Sequence, residues 1–187
     1  MTQVRRSVIQ PKDELEDFYT VPDPWDYEQT QDDRDRLARV VAAIPRRTYA
    51  RTLDIGCGNG FVTENLPGDE LVGVDISARA VEHARSRFRA RWPERVARFE
   101  ARSLFDLRST EIGVFDLVVV TGVLYPQYVG RGHAVVTEVL RDVLTPGGVI
   151  LTVHIDEWTR YRPPFTLLST SIDRYRGHFH RLEVLQR

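Results

Sequence analysis

The apolar run Leu53-Asp54-Ile55 leads directly into Gly56-Cys57-Gly58-Asn59-Gly60, and a second run, Leu71-Val72-Gly73-Val74, closes on Asp75. This unit constrains the chain more than any other stretch. Each run reads as a buried strand, and three glycines at alternate positions make a tight turn over which no side chain obstructs a ligand. The acid falls about 20 residues beyond the glycines, the separation at which a carboxylate takes a pair of ribose hydroxyls. The pattern is G-x-G-x-G. A dinucleotide fingerprint, G-x-G-x-x-G, needs glycine where this chain has Phe61, and that last glycine lets helix and backbone close around a pyrophosphate.

The remaining elements fall into register with this unit. Leu37, Val40, Val41 and Ile44 recur at helical spacing until Pro45. Strand 1 is expected at 51–55, followed by the turn and a short helix that Pro67-Gly68 ends. After strand 2, Ser77 is placed to cap a helix whose apolar stripe is Ala80, Val81, Ala84 and Phe88. A modest third strand spans 96–100, a strongly β-branched fourth 114–120, a helix 133–144 and a fifth strand 149–155. Strands alternating with helices predict a doubly wound, mostly parallel sheet with helices on both faces, a three-layer α/β sandwich. Beyond it only 179–185 reads clearly as a strand, with 165–168 at most an irregular one, so a shortened C-terminal strand region is expected. The chain divides into an N-terminal arm and lid, 1–36, and a single domain, 37–187.

Composition narrows the class. A chain of 187 residues with 42% hydrophobic content buries a sizeable core. No apolar stretch reaches membrane-spanning length and 1–13 holds no apolar signal core, so no membrane partner is expected. The lone cysteine, Cys57, excludes an intrachain disulfide, fits a reducing cytoplasm and reads as packing in the turn. A net charge of −1 argues against a general polyanion binder. Arg85, Arg87, Arg89 and Arg91 lack the lysines and stacking aromatics of a nucleic-acid module and read as a solvated helix face. His178 and His180 alternate along one strand without further ligands, so no metal site is expected.

With its glycine turn, Asp75, the strand Phe115-Asp116-Leu117-Val118-Val119-Val120, and Thr145-Pro146-Gly147-Gly148 before strand 5, the chain resembles class I S-adenosylmethionine (SAM) methyltransferases from about Tyr19 to Ile155. That fold is Rossmann-like. The resemblance implies SAM as cofactor and S-adenosylhomocysteine as product. Asp54 would order the turn or meet the ligand amine, and Gly56, Cys57, Gly58, Asn59 and Gly60 would line its methionine and ribose part. Asp75 would bind the ribose hydroxyls, Ile76 and Leu104 would flank the adenine with Ser103 or Asp106 near its amino group, and Thr121, Gly122 and Val123 would line the sulfonium and methyl. Asp23-Pro24-Trp25-Asp26-Tyr27 with Asp33 and Arg36 resembles the N-terminal region of NodS-like methyltransferases. There Arg36, or Arg34 in its place, would hold the ligand carboxylate, and Trp25 and Tyr27 would lid the cleft.

In-line methyl transfer from a sulfonium needs orientation and a dry cleft more than an acid. His154 and Tyr125 are the candidate catalytic groups, with His133 a further candidate base, should the acceptor need one. No N/D-P-P-Y/F follows strand 4, which weakens amino-methylation of nucleic-acid bases. The acceptor is expected to be the nitrogen, or the oxygen, of a small molecule such as an amino sugar or a natural-product intermediate. The NodS-like resemblance at Asp23 to Arg36 implies an amine of a sugar or natural product. The acids Asp23, Asp26, Asp32 and Asp33 add a field that favours a cation, and an arginine-rich composition typical of GC-rich genomes fits secondary metabolism. A non-catalytic SAM-binding protein and a nucleotide-dependent oxidoreductase are the competing classes. The protein is expected as a monomer or homodimer.

Overall fold

The computed structural model describes residues 9–187. Two helices, α1 (Lys12–Phe18) and α2 (Gln31–Ala43), precede the sheet. Strands β1 (Arg51–Ile55), β2 (Glu70–Asp75), β3 (Val96–Ala101) and β4 (Phe115–Thr121) follow, with α3 (Ala78–Arg91) between β2 and β3 and the short α4 (Ser109–Ile112) before β4. Next come α5 (Pro126–Val129), α6 (His133–Val143) and strands β5 (Leu144–Ile155), β6 (Thr166–Tyr175) and β7 (His178–Gln186). The seven strands lie in the order β3-β2-β1-β4-β5-β7-β6. β1 to β5 pair in parallel, while β7 runs antiparallel between β5 and β6.

Period-two alternation splits the central strands between two cores. Leu117, Val119 and Leu151 face α2 and α3, packing with Val40, Val81 and Phe88. Val118, Val120 and Ile150 face α6, packing with Val136, Leu140 and Val143. Each such fully buried side chain contributes roughly 1.5–3 kcal/mol relative to exposure. No helix among the described residues is long and apolar enough to cross a membrane.

Three expectations are revised. The helix after the glycine turn is a single 3₁₀ turn, Thr63–Asn65, because Pro67 leaves too few residues for an α-helical span. The C-terminal strand pair is complete, turning at Arg176 and Gly177, both at positive φ. β6 hides from periodicity because nearly all its side chains are exposed, which erases the alternation that marks a half-buried strand. What is short is the β5–β6 connection, residues 156–165, which contains no helix. Finally, the boundary expected at residue 36 falls inside α2, whose Asp33 and Arg36 are buried alongside Val40.

Candidate active site

The sheet reverses its winding between β1 and β4, and a ligand crevice opens beyond the carboxyl ends of strands at such a point. A cavity of about 340 Å³ lies there. Its floor is Ile55 and Gly56 at the end of β1, Val74, Asp75 and Ile76 at the end of β2, Ser103 and Leu104 after β3, and Thr121, Gly122 and Val123 at the end of β4. Trp25 lines it from the arm. Nine of the expected binding residues therefore converge on one space, drawn from four strand ends and the arm.

Gly56 sits at φ 75° with its missing Cβ aimed at Val123, so the backbone can pass close only without a side chain. Asp75 is the polar centre. Its Oδ2 accepts the Gly58 amide at 2.9 Å and its Oδ1 the Ser77 amide at 2.9 Å. Burial raises its pKa, an effect those amides oppose. Each carboxylate oxygen keeps a second lone pair for a ligand hydroxyl.

Other expected residues stand behind the wall. Cys57 is buried with Sγ toward Gly73, and burial pushes its thiol far up. Asn59 Oδ1 accepts the Phe61 amide at 3.2 Å, and Gly60 packs on Ala84. Gly58 lies under the Tyr19 hydroxyl. Asp54 is buried. Its Oδ2 accepts the Thr63 hydroxyl at 2.6 Å, its Oδ1 has no partner among the described residues, and burial raises its pKa to about 7.

Arg36 is 7% exposed, its guanidinium 4.8 Å from the Tyr27 ring and 5.5 Å from the Tyr175 ring. Its Nε lies 3.8 Å from Asp33 Oδ1 and makes no hydrogen bond among the described residues. Tyr27 lines the cavity and stacks on Phe61, so Arg36 backs the cavity through that ring. Three of the four arm acids have partners. Asp33 takes the Tyr175 hydroxyl at 2.6 Å and the Arg176 guanidinium, Asp32 the Arg176 amide, and Asp23 the Glu28 amide. Arg36 and Arg176 offset the charge of Asp33, which weakens the field argument for a cationic acceptor.

Neither candidate catalytic group lines the cavity. His154 is fully buried. Its Nε2 accepts the Leu124 amide at 3.0 Å, and burial, reinforced by Arg181, lowers its pKa to about 3. Its basic lone pair is therefore committed, and the ring fixes backbone rather than reaching an acceptor. Tyr125 accepts the Ile155 amide at 2.8 Å, and burial raises its pKa to about 12. His133 stacks on Tyr161, also outside the wall. Tyr128, one turn beyond Tyr125, does line the cavity, as do Leu15, Tyr19, Arg102 and Phe105. Sequence reasoning missed these residues. Tyr128 alone left a signal, being the next aromatic on the face of the helix that Tyr125 opens.

The profile of the methyltransferase-domain family matches residues 48–175, and the chain belongs to this family. Its fold is the class I SAM-dependent methyltransferase fold. The structure of N-methyltransferase NodS from Bradyrhizobium japonicum WM9, in complex with S-adenosylhomocysteine, superposes with a TM-score of 0.79 at 21% identity, covering 94% of this chain and 97% of that one. Magnesium protoporphyrin IX methyltransferase from Synechocystis PCC 6803, with bound SAM, gives 0.72 at 16% identity over 96% and 98%. These likenesses concern the fold. In sequence, trans-aconitate 2-methyltransferase of Paracidovorax citrulli is 32% identical over 129 residues, 66% of this chain and 46% of that protein. Malonyl-[acyl-carrier protein] O-methyltransferase of Legionella pneumophila is 31% identical over 110 residues, 50% of this chain and 37% of that protein. The chain spans about half the length of the curated relatives it matches, or less.

Proposed function

We propose that this chain transfers the methyl group of SAM to a nitrogen or an oxygen of a small molecule, releasing S-adenosylhomocysteine. The observation that carries this reading is Asp75, a half-buried carboxylate anchored by two backbone amides at the end of β2 and facing the cavity beside Ile76 and Leu104. An acid so placed accepts both hydroxyls of a ribose while apolar side chains flank the base. Two of the buried side-chain atoms without a partner among the described residues, Arg36 Nε and Asp54 Oδ1, back the cavity and fit an amino-acid end. One is cationic and faces a carboxylate, and the other is an acid that an ammonium would hold ionised. Gly56 leaves room for the ligand backbone between them.

When bound, SAM supplies a methyl group already activated on a sulfonium. The protein's part is to orient and to exclude water. Thr121, Gly122 and Val123 form the floor at the transfer end, and the faces of Trp25, Tyr27 and Tyr128 favour a cationic centre over the cleft. The arm, through Leu15, Tyr19, Trp25 and Tyr27, roofs the cavity and acts as its lid.

Among the described residues, the titratable groups on the cavity wall are Asp75, Arg102 and the tyrosines Tyr19, Tyr27 and Tyr128. That set supports an acceptor needing no protein base, either a neutral amine or an oxygen that is already anionic. Similarity to an N-methyltransferase and to an O-methyltransferase is compatible with both.

Calorimetry with SAM and with NAD tests the cofactor: SAM binding is expected, and NAD binding without it overturns the reading. Incubation with methyl-labelled SAM and a panel of amino sugars, phenols, carboxylic acids and peptides tests the acceptor. Label in amines or carboxylates is expected, and label confined to peptides overturns the small-molecule assignment.

A further inference from the structure

α3 carries Arg79, His83, Arg87 and Arg91 at four-residue intervals, so all four project from one face. Every one of them meets the arm. Arg79 Nη1 donates to the Glu16 carbonyl at 2.9 Å and lies 3.7 Å from the Asp17 carboxylate. His83 Nε2 is 3.0 Å from the Tyr19 carbonyl oxygen. Arg87 and Arg91 both pair with Glu28, and both donate to Glu64, at 2.6 and 2.7 Å. Of the arginines expected on a solvated face, Arg87 and Arg91 belong to this rail on which the arm docks, while Arg85 and Arg89 are exposed.

At the head of this rail, Glu16 reaches across from α1. Its Oε1 accepts the Ala78 amide at 2.7 Å, and its Oε2 accepts the Ser77 hydroxyl at 2.8 Å and the Arg79 amide at 3.2 Å. The Ser77 hydroxyl itself caps α3 by accepting the Ala80 amide. A carboxylate from another element thus satisfies first-turn amides that α3 leaves without intrahelical partners. The Ser77 amide in turn donates to Asp75, whose other oxygen holds Gly58. One polar chain therefore runs from the arm through α3 to the carboxylate and the glycine turn.

We infer that Glu16 is a positioning residue of the methyl-donor site: by capping α3 from the arm it fixes Ser77, and through Ser77 the Asp75 carboxylate, so that docking the arm and aiming Asp75 are one event. This rests on reading the cavity as the methyl-donor site. Leu15 and Tyr19, on either side of Glu16, line the same cavity, so the residue that orients Asp75 also brings the roof down.

The test compares wild type, Glu16→Ala and Glu16→Gln. In ligand-free protein, hydrogen exchange in Glu16→Ala is expected to quicken together at 12–19 and at 75–80, with α6 unchanged. SAM release, followed by stopped-flow fluorescence of the cavity residue Trp25, is expected to quicken about tenfold, the size of one lost charge-assisted hydrogen bond. Glu16→Gln, which keeps an acceptor oxygen, is expected to recover most of both. Unchanged exchange at 75–80 in Glu16→Ala overturns the coupling, and so does a SAM release rate within twofold of wild type. Should wild type fail to bind SAM, the methyl-donor reading falls by itself, and the exchange comparison still decides whether Glu16 couples the arm to Asp75.

Discussion

The Nε2 atom of His154 accepts the Leu124 amide at 3.0 Å, tying the end of β5 to the loop after β4. Because a backbone N–H can only donate, the imidazole is neutral with its proton on Nδ1. Glutamine can present an acceptor oxygen in the same direction. His154→Gln is therefore expected to retain methyl transfer within about threefold, whereas loss of a true base costs about 10²–10⁴-fold. Initial rates with the identified acceptor check this, and a collapse of kcat in His154→Gln would restore the residue as the base.

Acid should unfold this protein through the same residue. The folded pKa of His154 is lowered to about 3 by burial, and that of the buried His180 to about 4, against about 6.5 in an unfolded chain. The unfolded state then binds more protons at low pH, so the contribution is full above about pH 6.5 and is lost as pH falls toward 4 and 3. Melting temperatures are expected to drop between pH 6.5 and 4, and less steeply in His154→Gln. Identical slopes would show that the ring is not the group being titrated.

Asp75→Ala is expected to weaken SAM binding by about 2–4 kcal/mol, since two hydrogen bonds to a charged acceptor are lost. It also frees the Gly58 and Ser77 amides, so the melting temperature falls too. Asp75→Asn keeps the space and one acceptor and separates the two effects. Calorimetry giving an unchanged dissociation constant for both variants would place the ribose elsewhere.

Arg36→Met keeps the apolar stem between the Tyr27 and Tyr175 rings and removes the charge. SAM affinity is expected to fall at least tenfold, about 1.4 kcal/mol, with a smaller loss for decarboxylated SAM. Equal losses for both ligands would show that Arg36 does not meet the carboxylate.

Deleting residues 1–30 removes α1, the arm aromatics and Glu28, and leaves α2 and the sheet. A folded domain with weak SAM binding and little or no transfer is expected, checked by circular dichroism, calorimetry and turnover. Normal turnover would end the lid assignment.

Much of this molecule was legible in its sequence because it rests on local regularities. The glycine turn requires positive φ at Gly56, Gly58 and Gly60, and only glycine supplies that cheaply. Val118 to Val120 are buried on both faces of a parallel strand, so the run is uniformly apolar. Asp75 follows from the end of one such run. The rest needed tertiary structure. β6 has no buried face to write a pattern, and α1 is a short helix with no buried residue. The partners of Arg36, His154 and Glu16 lie tens of residues away or more for all but the Arg36–Asp33 and Arg36–Tyr27 contacts. A sequence states which residue types can hydrogen-bond, but only the packed chain decides which lone pairs are spent. His154 lost its candidacy as a base in that way, and Arg79, His83, Arg87 and Arg91 became the surface that holds the arm.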